Sequence, residues 1–151
     1  MVITLQNNHD ANVVNKLSKI VLKQMNFIGA EHDSAKVDCA IKNALDKNGK
    51  SIFFVKINEK EEFIGFVFGN VCSGLETGAD YLWINELYVE PEYRRKGIAA
   101  EIFTFIERWA KDKGIKYIAT MTGEKNKTAL KFYKKMSYDL EKVIWVDKSI
   151  R

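Results

Sequence analysis

Apolar and polar residues alternate with two different periods along the chain. Runs rich in β-branched and aromatic residues predict strands, and apolar residues three or four positions apart predict helices. Strands are expected at 2–5, 51–57, 63–71, 81–89, 116–122 and 140–146, and helices at 10–25, 34–45, 98–113 and 126–136. The segment 72–80, CSGLETGAD, is typical of a flexible loop between two strands.

The order of these elements predicts the fold class. It is β-α-α-β-β-β-α-β-α-β, and the strands 51–57 and 63–71 form an antiparallel hairpin over the polar turn between them. The strand–helix–strand unit from 81 to 122 implies a right-handed parallel crossover. We therefore expect an α+β protein with a mixed sheet. No internal repeat, low-complexity tract or linker divides the sequence, which predicts a single domain over residues 1–151.

Composition and charge narrow the class of protein. With 151 residues, 46% of them apolar and 29% charged, the chain has the size and balance of a globular protein. No apolar run approaches the ~20 residues of a membrane span, and the first ten residues lack a signal-peptide pattern, so we expect no membrane partner and a cytoplasmic location. The isolated Cys39 and Cys72 suit reduced thiols. His9 and His32 have no ligand partners at metal spacing, which predicts no metal.

A strand-to-helix turn carries the first chemical signal. The stretch YVEPEYRRKGIAAEIF places Arg94, Arg95 and Lys96 just before a helix. Cations repel one another there and oppose the helix dipole, yet the first N–H groups of a helix bind anions. Gly97 and Ala99 leave the backbone open to a phosphate. The pattern therefore indicates either a pyrophosphate site or a solvated basic turn.

Three motifs in order resemble the GCN5-related N-acetyltransferase (GNAT) family. The acetyl-CoA motif of that family, Arg/Gln-x-x-Gly-x-Gly/Ala, matches RRKGIA at 94–99, and its preceding strand end matches ELYV at 86–89. Its next motif is similar to NKTALKFYKKMSY at 126–138, with Ser137-Tyr138 in place of Gly-Phe. The resemblance covers nearly the whole chain. It implies the GNAT acyl-CoA N-acyltransferase fold, whose mixed sheet is splayed between the fourth and fifth strands.

The same resemblance implies a reaction and its partners. Acetyl would pass from acetyl-CoA, as co-substrate, directly to a primary amine in a ternary complex. The turn is expected to hold the pyrophosphate and the strand 81–89 the thioester carbonyl. Asn126 is expected to cap its helix or to bind the pantetheine arm, and Lys135 to meet the 3′-phosphate or to lie on a solvated helix face. The coenzyme-binding residues so implied are Leu87, Tyr88, Val89, Arg94, Arg95, Lys96, Gly97, Ile98, Ala99, Ala100, Asn126, Phe132 and Lys135.

Two side chains are candidates for proton transfer. Tyr133 matches the position of the family's general acid, which would protonate the departing thiolate; otherwise it is a core tyrosine on an amphipathic helix. Glu86 is a candidate base, acting through water on an amine with a pKa of about 10; otherwise it is a strand carboxylate in a salt bridge. Strict alternation would put Glu86 on the same face as Ile84 and Tyr88.

The acceptor is the least constrained part of the prediction. The resemblance assigns its selection to the first two helices and to the loop before the fourth strand, and both segments are acidic here. Their acidic residues are Glu31, Asp33, Asp38, Glu76 and Asp80. These favour a small cationic amine, such as a polyamine or an aminosugar, over a peptide amine, although loops are commonly polar in any case. A homodimer is also among the assemblies expected for this chain.

Two other classes of protein are compatible with parts of the sequence. A non-catalytic acyl-CoA-binding sensor on the same fold would keep the turn but lack working chemistry at Glu86 or Tyr133. A nucleic-acid-binding module would use the basic turn. However, Glu90, Glu92 and Glu101 flank that turn and the net charge is only +4, so no nucleic acid is expected as a partner.

Overall fold

The computed structural model describes residues 1–30, 33–46 and 49–150, so Glu31 and His32 lie outside the described residues. The strands are β1 (Val2–Leu5), β2 (Ser51–Ile57), β3 (Phe63–Gly74), β4 (Ala79–Val89) and β5 (Ile118–Thr120), and the helices are α1 (Ala11–Ile28), α2 (Ser34–Ala44), α3 (Ile98–Asp112) and α4 (Lys127–Lys135). A short 3₁₀ turn, Pro91–Tyr93, follows β4. The chain divides into two compact units, Met1–Thr120 and Met121–Arg151, and the single domain stays a prediction.

The first unit contains a five-stranded sheet in the order β1-β2-β3-β4-β5. The first four strands are antiparallel neighbours, and β5 joins β4 in parallel after the crossover through α3. A parallel neighbour needs such a crossover, whereas tight turns can join antiparallel strands. The predicted α+β class with a mixed sheet is therefore confirmed.

Helices cover both faces of this sheet. On one face, α1 and α2 contribute to an apolar cluster that includes Phe53, Phe66 and Tyr88. On the other face, the ring centroid of Phe54, the next residue along β2, lies 5.1 Å from that of Trp109 on α3. Successive residues of β2 are thus buried on opposite faces, which explains why this strand is a continuous apolar run in the sequence.

Helix α1 begins and ends where local chemistry favours a helix boundary. Asp10 caps its start by accepting hydrogen bonds from the backbone N–H groups of Asn12 and Val13 at 2.8 and 3.2 Å. Gly29 ends it in the left-handed conformation, with φ of 68°. Within the described ranges, no helix is both long enough and apolar enough to cross a membrane.

The predicted bounds of three strands are wrong because strand pairing does not follow the apolar runs. Ser73 pairs with Asp80 and Gly74 with Ala79, so the β3–β4 hairpin extends into the predicted loop at 72–80 and leaves only 75–78 as its turn. A ladder of backbone hydrogen bonds continues while the two backbones face each other, whatever the polarity of the side chains. Conversely, β5 contains only Ile118–Thr120 of the predicted 116–122, since only these residues pair with β4.

The last predicted strand, 140–146, is wrong. None of the described residues after Lys135 lies in a strand, and the side chains of Val143, Ile144 and Val146 are exposed. A high β-propensity describes side chains that suit a sheet surface, but a strand also needs a neighbour for its backbone N–H and C=O groups. Among the described residues this apolar segment has no such strand neighbour.

Candidate active site

A β-bulge at Asn85 decides which way Glu86 faces. Phe68 of β3 pairs with Glu86, but the next residue, Gly69, pairs with Ile84, so Asn85 is an extra residue in β4. Cross-strand partners share a face of the sheet and successive residues of a strand alternate. Glu86 and Ile84 therefore lie on opposite faces. The predicted shared face is wrong for Ile84, because the extra residue shifts the alternation by one position.

Glu86 faces helix α1, on the side of the sheet that also carries Tyr88. The amide Nε2 of Gln24 on α1 donates to Glu86 Oε2 at 2.5 Å. Gln24 is only 4% exposed, and Glu86 is half-buried. Gln24 is not among the site residues predicted from the sequence, although its position in the helical pattern indicates a buried polar side chain. It follows Ile20 and Val21 at helical spacing, so a polar side chain lies on an apolar helix face.

A second carboxylate, Glu90, is buried just beyond the end of β4. It forms an ion pair with Lys23, whose Nζ lies 2.5 Å from Glu90 Oε1, and this hydrogen bond raises the pKa of Lys23. The hydroxyl of Tyr88 donates to Glu90 Oε2 at 3.5 Å. Burial, and then the charge of Glu90, raise the pKa of Tyr88, so this phenol is protonated at neutral pH. Lys23 therefore balances the charge of Glu90, whereas the partner of Glu86 is a neutral amide.

The turn before α3 has the geometry of an anion site. Gly97 precedes the helix with φ of 81°, a conformation that favours glycine, and no side chain caps the first N–H groups of α3. A Cβ at Gly97 would meet no atom of the described residues within 4 Å. Ile98 is buried, whereas Ala99 and Ala100 are only partly buried. These free N–H groups can hold a pyrophosphate through the backbone.

The three cations of this turn lie in different surroundings. The Nε of Arg94 donates to the carbonyl oxygen of Val89 at 2.7 Å, and its guanidinium carbon lies 4.2 Å from the ring centroid of Phe27. Arg95 and Lys96 are exposed. Arg95 and Lys96 are thus accessible to a ligand at the turn, whereas Arg94 lies between the end of β4 and α1.

A shallow groove lies beside the turn. Its volume is about 480 Å³, and its lining includes Gly97 and Ala100 together with the cations Lys56 and Arg108. Lys56 also forms an ion pair with Glu101 in the first turn of α3. A groove with cations next to unpaired helix N–H groups suits an anionic ligand. A second cavity of about 460 Å³, between α1 and α2, includes neither the turn nor Glu86 in its lining.

The sheet opens beside the end of β4. Strand β5 pairs with β4 only from Leu82 to Ile84, so within the described residues Leu87, Tyr88 and Val89 have β3 as their sole strand neighbour. This agrees with the predicted splay between the fourth and fifth strands. Backbone groups that point away from β3 are not used by the sheet here, and N–H groups of this kind can stabilise negative charge on a carbonyl oxygen.

The remaining candidates lie on or beside α4, in the second unit. Asn126 caps this helix, since its Oδ1 accepts from the N–H of Ala129 at 3.1 Å. Tyr133 is 5% exposed, and its ring centroid lies 5.2 Å from that of Phe132 and 5.8 Å from that of Tyr138. The coenzyme-binding or catalytic roles of the candidates in this unit stay predictions: Asn126, Phe132, Tyr133 and Lys135.

Proteins similar to this chain are described as acetyltransferases. The crystal structure of a probable acetyltransferase superposes with a TM-score of 0.88, over 100% of this chain and 99% of that chain, at 15% identity. The chain is 30% identical to an uncharacterised N-acetyltransferase of Methanocaldococcus jannaschii over 103 residues, which make up 66% of this chain and 44% of the relative. It is 25% identical to an aminoglycoside N(6')-acetyltransferase type 1 of Salmonella typhimurium over 89 residues, which make up 56% of this chain and 61% of the relative. The chain thus spans about half the length of the curated relatives it matches.

A family model gives the more specific assignment. Residues 17–138 match the model of the acetyltransferase (GNAT) family. The matched region contains the end of β4, the turn at Gly97 and helix α4. The chain belongs to the GNAT acetyltransferase family.

Proposed function

We propose that the protein is an N-acetyltransferase that transfers acetyl from acetyl-CoA to a primary amine by direct attack in a ternary complex. The observation that carries this proposal is the end of β4. Glu86 places a carboxylate against α1. Residues 87–89 lie beyond the end of β5, so one edge of this part of β4 pairs with no strand of the described chain. The open turn at Gly97 follows and offers N–H groups to a pyrophosphate. One strand and one turn therefore supply a base, a carbonyl-binding edge and an anion site.

Each group has a role in this reaction. A lysine-like amine has a pKa of about 10 and must lose a proton before it attacks, and Glu86 accepts that proton directly or through water. As the amine adds to the thioester carbon, negative charge grows on the carbonyl oxygen, and those N–H groups at 87–89 that point away from β3 stabilise it. The C–S bond then breaks, and Tyr133 donates its proton to the departing thiolate.

The acceptor that we propose is a small cationic amine. Asp33, Glu76 and Asp80 are exposed, and they place negative charge at the start of α2 and on the β3–β4 hairpin. Asp38 is partly buried and accepts a hydrogen bond from Ser18, so its charge is less accessible. The Salmonella relative is described as an aminoglycoside acetyltransferase, which supports aminosugars as the first class to test and polyamines as the second.

A homodimer is also part of the proposal. The side chains of Val143, Ile144, Trp145 and Val146 are each more than half exposed. Contiguous apolar side chains on a surface mark an interaction site when they are not covered by the chain itself.

The function is tested with a panel of amines, assayed for CoA release with a thiol reagent. Aminosugars, polyamines and a lysine-containing peptide are each incubated with acetyl-CoA and the protein. We expect turnover with at least one aminosugar or polyamine, with one free thiol released for each amine acetylated. Binding of acetyl-CoA without turnover on any amine would instead identify an acyl-CoA-binding sensor. Absence of any thermal stabilisation by acetyl-CoA would contradict both functions.

Glu86→Gln is expected to slow transfer by roughly 10-fold at about pH 6 and by less at about pH 9. At low pH nearly all of the amine is protonated, so removal of its proton limits the rate most strongly there. The loss is moderate because water can reach a half-buried carboxylate. The pH profile of kcat/KM measures the effect, and Glu92→Gln, at an exposed carboxylate of the Pro91–Tyr93 turn, is the control. An unchanged profile would assign proton removal to water or to another group.

A further inference from the structure

We propose that Gln24 is an acceptor-binding residue, whose carbonyl oxygen Oε1 accepts a hydrogen bond from the amine to be acetylated. This inference rests on the proposed transfer function and defines part of its acceptor site. Gln24 is buried in α1, with 4% of its surface exposed. Its Nε2 donates to Glu86 Oε2 at 2.5 Å, but Oε1 is buried without a hydrogen-bond partner among the described residues.

A buried carbonyl without a partner costs free energy, because its hydrogen bonds to water are lost and not replaced. An apolar side chain of similar length would remove that cost, but it would also remove the donor to Glu86. Exchanging the two amide atoms does not help, since it would set a carbonyl oxygen beside the Glu86 carboxylate, and both are acceptors. A ligand that donates a hydrogen bond to Oε1 would supply the partner that the described residues do not provide.

The surroundings of Gln24 select a donor with positive charge. Within the described ranges Glu86 forms no ion pair, whereas Glu90 is balanced by Lys23. An ammonium group can neutralise Glu86 and donate to Gln24 Oε1 at the same time. After it has lost one proton, two N–H groups remain, and the acceptors on these two side chains can hold them while the lone pair attacks the thioester. The chemistry recognised here is that of a primary amine.

Calorimetric titration of kanamycin, an aminosugar, and spermidine, a polyamine, tests the assignment on wild-type protein and on Gln24→Met. Methionine is similar in length but cannot accept the proposed hydrogen bond. We expect the variant to bind the amine about 10-fold or more weakly, the range for loss of a hydrogen bond to a charged group, with an unchanged Kd for acetyl-CoA. The melting temperature of the free variant combines two opposite effects, removal of the unpaired carbonyl and loss of the hydrogen bond from Nε2 to Glu86, so the affinity for the amine is the decisive readout. Replacing a glutamine with a purely structural role would leave the Kd for the amine unchanged.

Val21→Ala is the matched control on the same helix. Val21 is also buried, but its side chain is apolar and cannot hydrogen-bond an amine. This variant should lower the melting temperature and leave amine affinity unchanged. Equal amine affinity in wild type and Gln24→Met, or no binding of either amine to wild type, would overturn the assignment. Turnover of acetyl-CoA with other amines would still show the transfer function in that case, so the two failures are distinguishable.

A second observation, independent of the first, concerns the exposed segment 141–148, EKVIWVDK. We infer that this segment pairs in antiparallel fashion with the same segment of a second copy of the chain. Pairing centred just after Ile144 sets Glu141 opposite Lys148 and Lys142 opposite Asp147, with apolar residues between them. Opposite charges and apolar pairs at facing positions stabilise an antiparallel pair of strands.

The order of charges favours a second copy over a different partner. It runs acid, base, four apolar residues, acid, base, and it is complementary to itself when reversed. A two-fold axis then makes every contact twice. Lys142 forms an ion pair with Glu124 at 2.9 Å, but both side chains are exposed. Replacing Glu124 with an aspartate of the second copy as the partner of Lys142 therefore costs little free energy. Pairing would also supply partners for the backbone groups of a segment that lies in no strand of the described chain.

Size-exclusion chromatography with light scattering tests this interface. Wild type is expected at twice the chain mass of 17.4 kDa. Lys142→Glu sets like charges opposite each other at two symmetric positions and should give monomers, and Lys142→Glu combined with Asp147→Lys should recover the dimer. Glu124→Gln removes the same surface ion pair without changing the segment and should stay dimeric. A monomeric wild type, or a double variant that stays monomeric, would overturn the inference.

Discussion

Tyr133→Phe is expected to lower the rate of acetyl transfer by roughly 10²-fold, which is usual for loss of one general acid. The departing thiolate, with a reference pKa of about 8.5, is stabilised by a proton as the C–S bond breaks, and a phenol with a pKa of about 10 keeps its proton until then. Phenylalanine retains the ring that packs against Phe132 and Tyr138. Folding and acetyl-CoA affinity should therefore persist. Single-turnover kinetics under conditions where chemistry is rate-limiting measures the effect.

Tyr138→Phe is the matched control, because it removes a hydroxyl from a neighbouring ring of the same aromatic cluster. It should keep its activity. A series of thioesters gives an independent check, since the loss in Tyr133→Phe should shrink as the pKa of the leaving thiol falls. Full activity of Tyr133→Phe on the best amine would identify Tyr133 as a core tyrosine, and the acid role would be withdrawn.

Gly97→Val is expected to weaken acetyl-CoA binding by roughly 10²-fold. The added side chain would extend into the open space beside the first N–H groups of α3, where we propose that the pyrophosphate binds. Each hydrogen bond lost to a charged group costs roughly 1.5–3 kcal/mol, so the loss of one or two such bonds gives this factor. Calorimetry measures the Kd, and the thermal shift with acetyl-CoA should shrink in parallel.

The control for Gly97→Val must share its backbone strain, because valine rarely adopts a positive φ. Gly114→Val does so, since Gly114 has φ of 72° and no described atom within 4 Å of its Cβ position. Gly114 follows the end of α3, away from the first N–H groups of that helix. This variant should destabilise the free protein to a similar extent and leave acetyl-CoA affinity unchanged. If Gly97→Val folds and binds normally, the phosphate site lies elsewhere.

Several features of the fold could be predicted because their signals are local. The strand at 51–57 has the predicted bounds, and Asp10 caps α1 as expected. A cap depends on N–H groups two or three residues away, and a glycine between three cations and the start of a helix is visible in the sequence itself. The strand expected at 140–146 fails for the converse reason. Its side chains suit a sheet, but a strand also requires a backbone partner, and the described residues of one chain provide no strand neighbour for this segment.

The sequence by itself determined the order of the elements as far as α4, the mixed sheet and the turn at Gly97. Tertiary structure alone decided the surroundings of Glu86. The bulge at Asn85 exists only in the pairing of β4 with β3, and Gln24 meets Glu86 across 62 positions of sequence. The guanidinium of Arg94, which belongs to the turn in sequence, lies over Phe27 of α1. Helical period, caps and turns depend on residues a few positions apart, whereas these contacts depend on how distant elements pack, and no local pattern of residues specifies that packing.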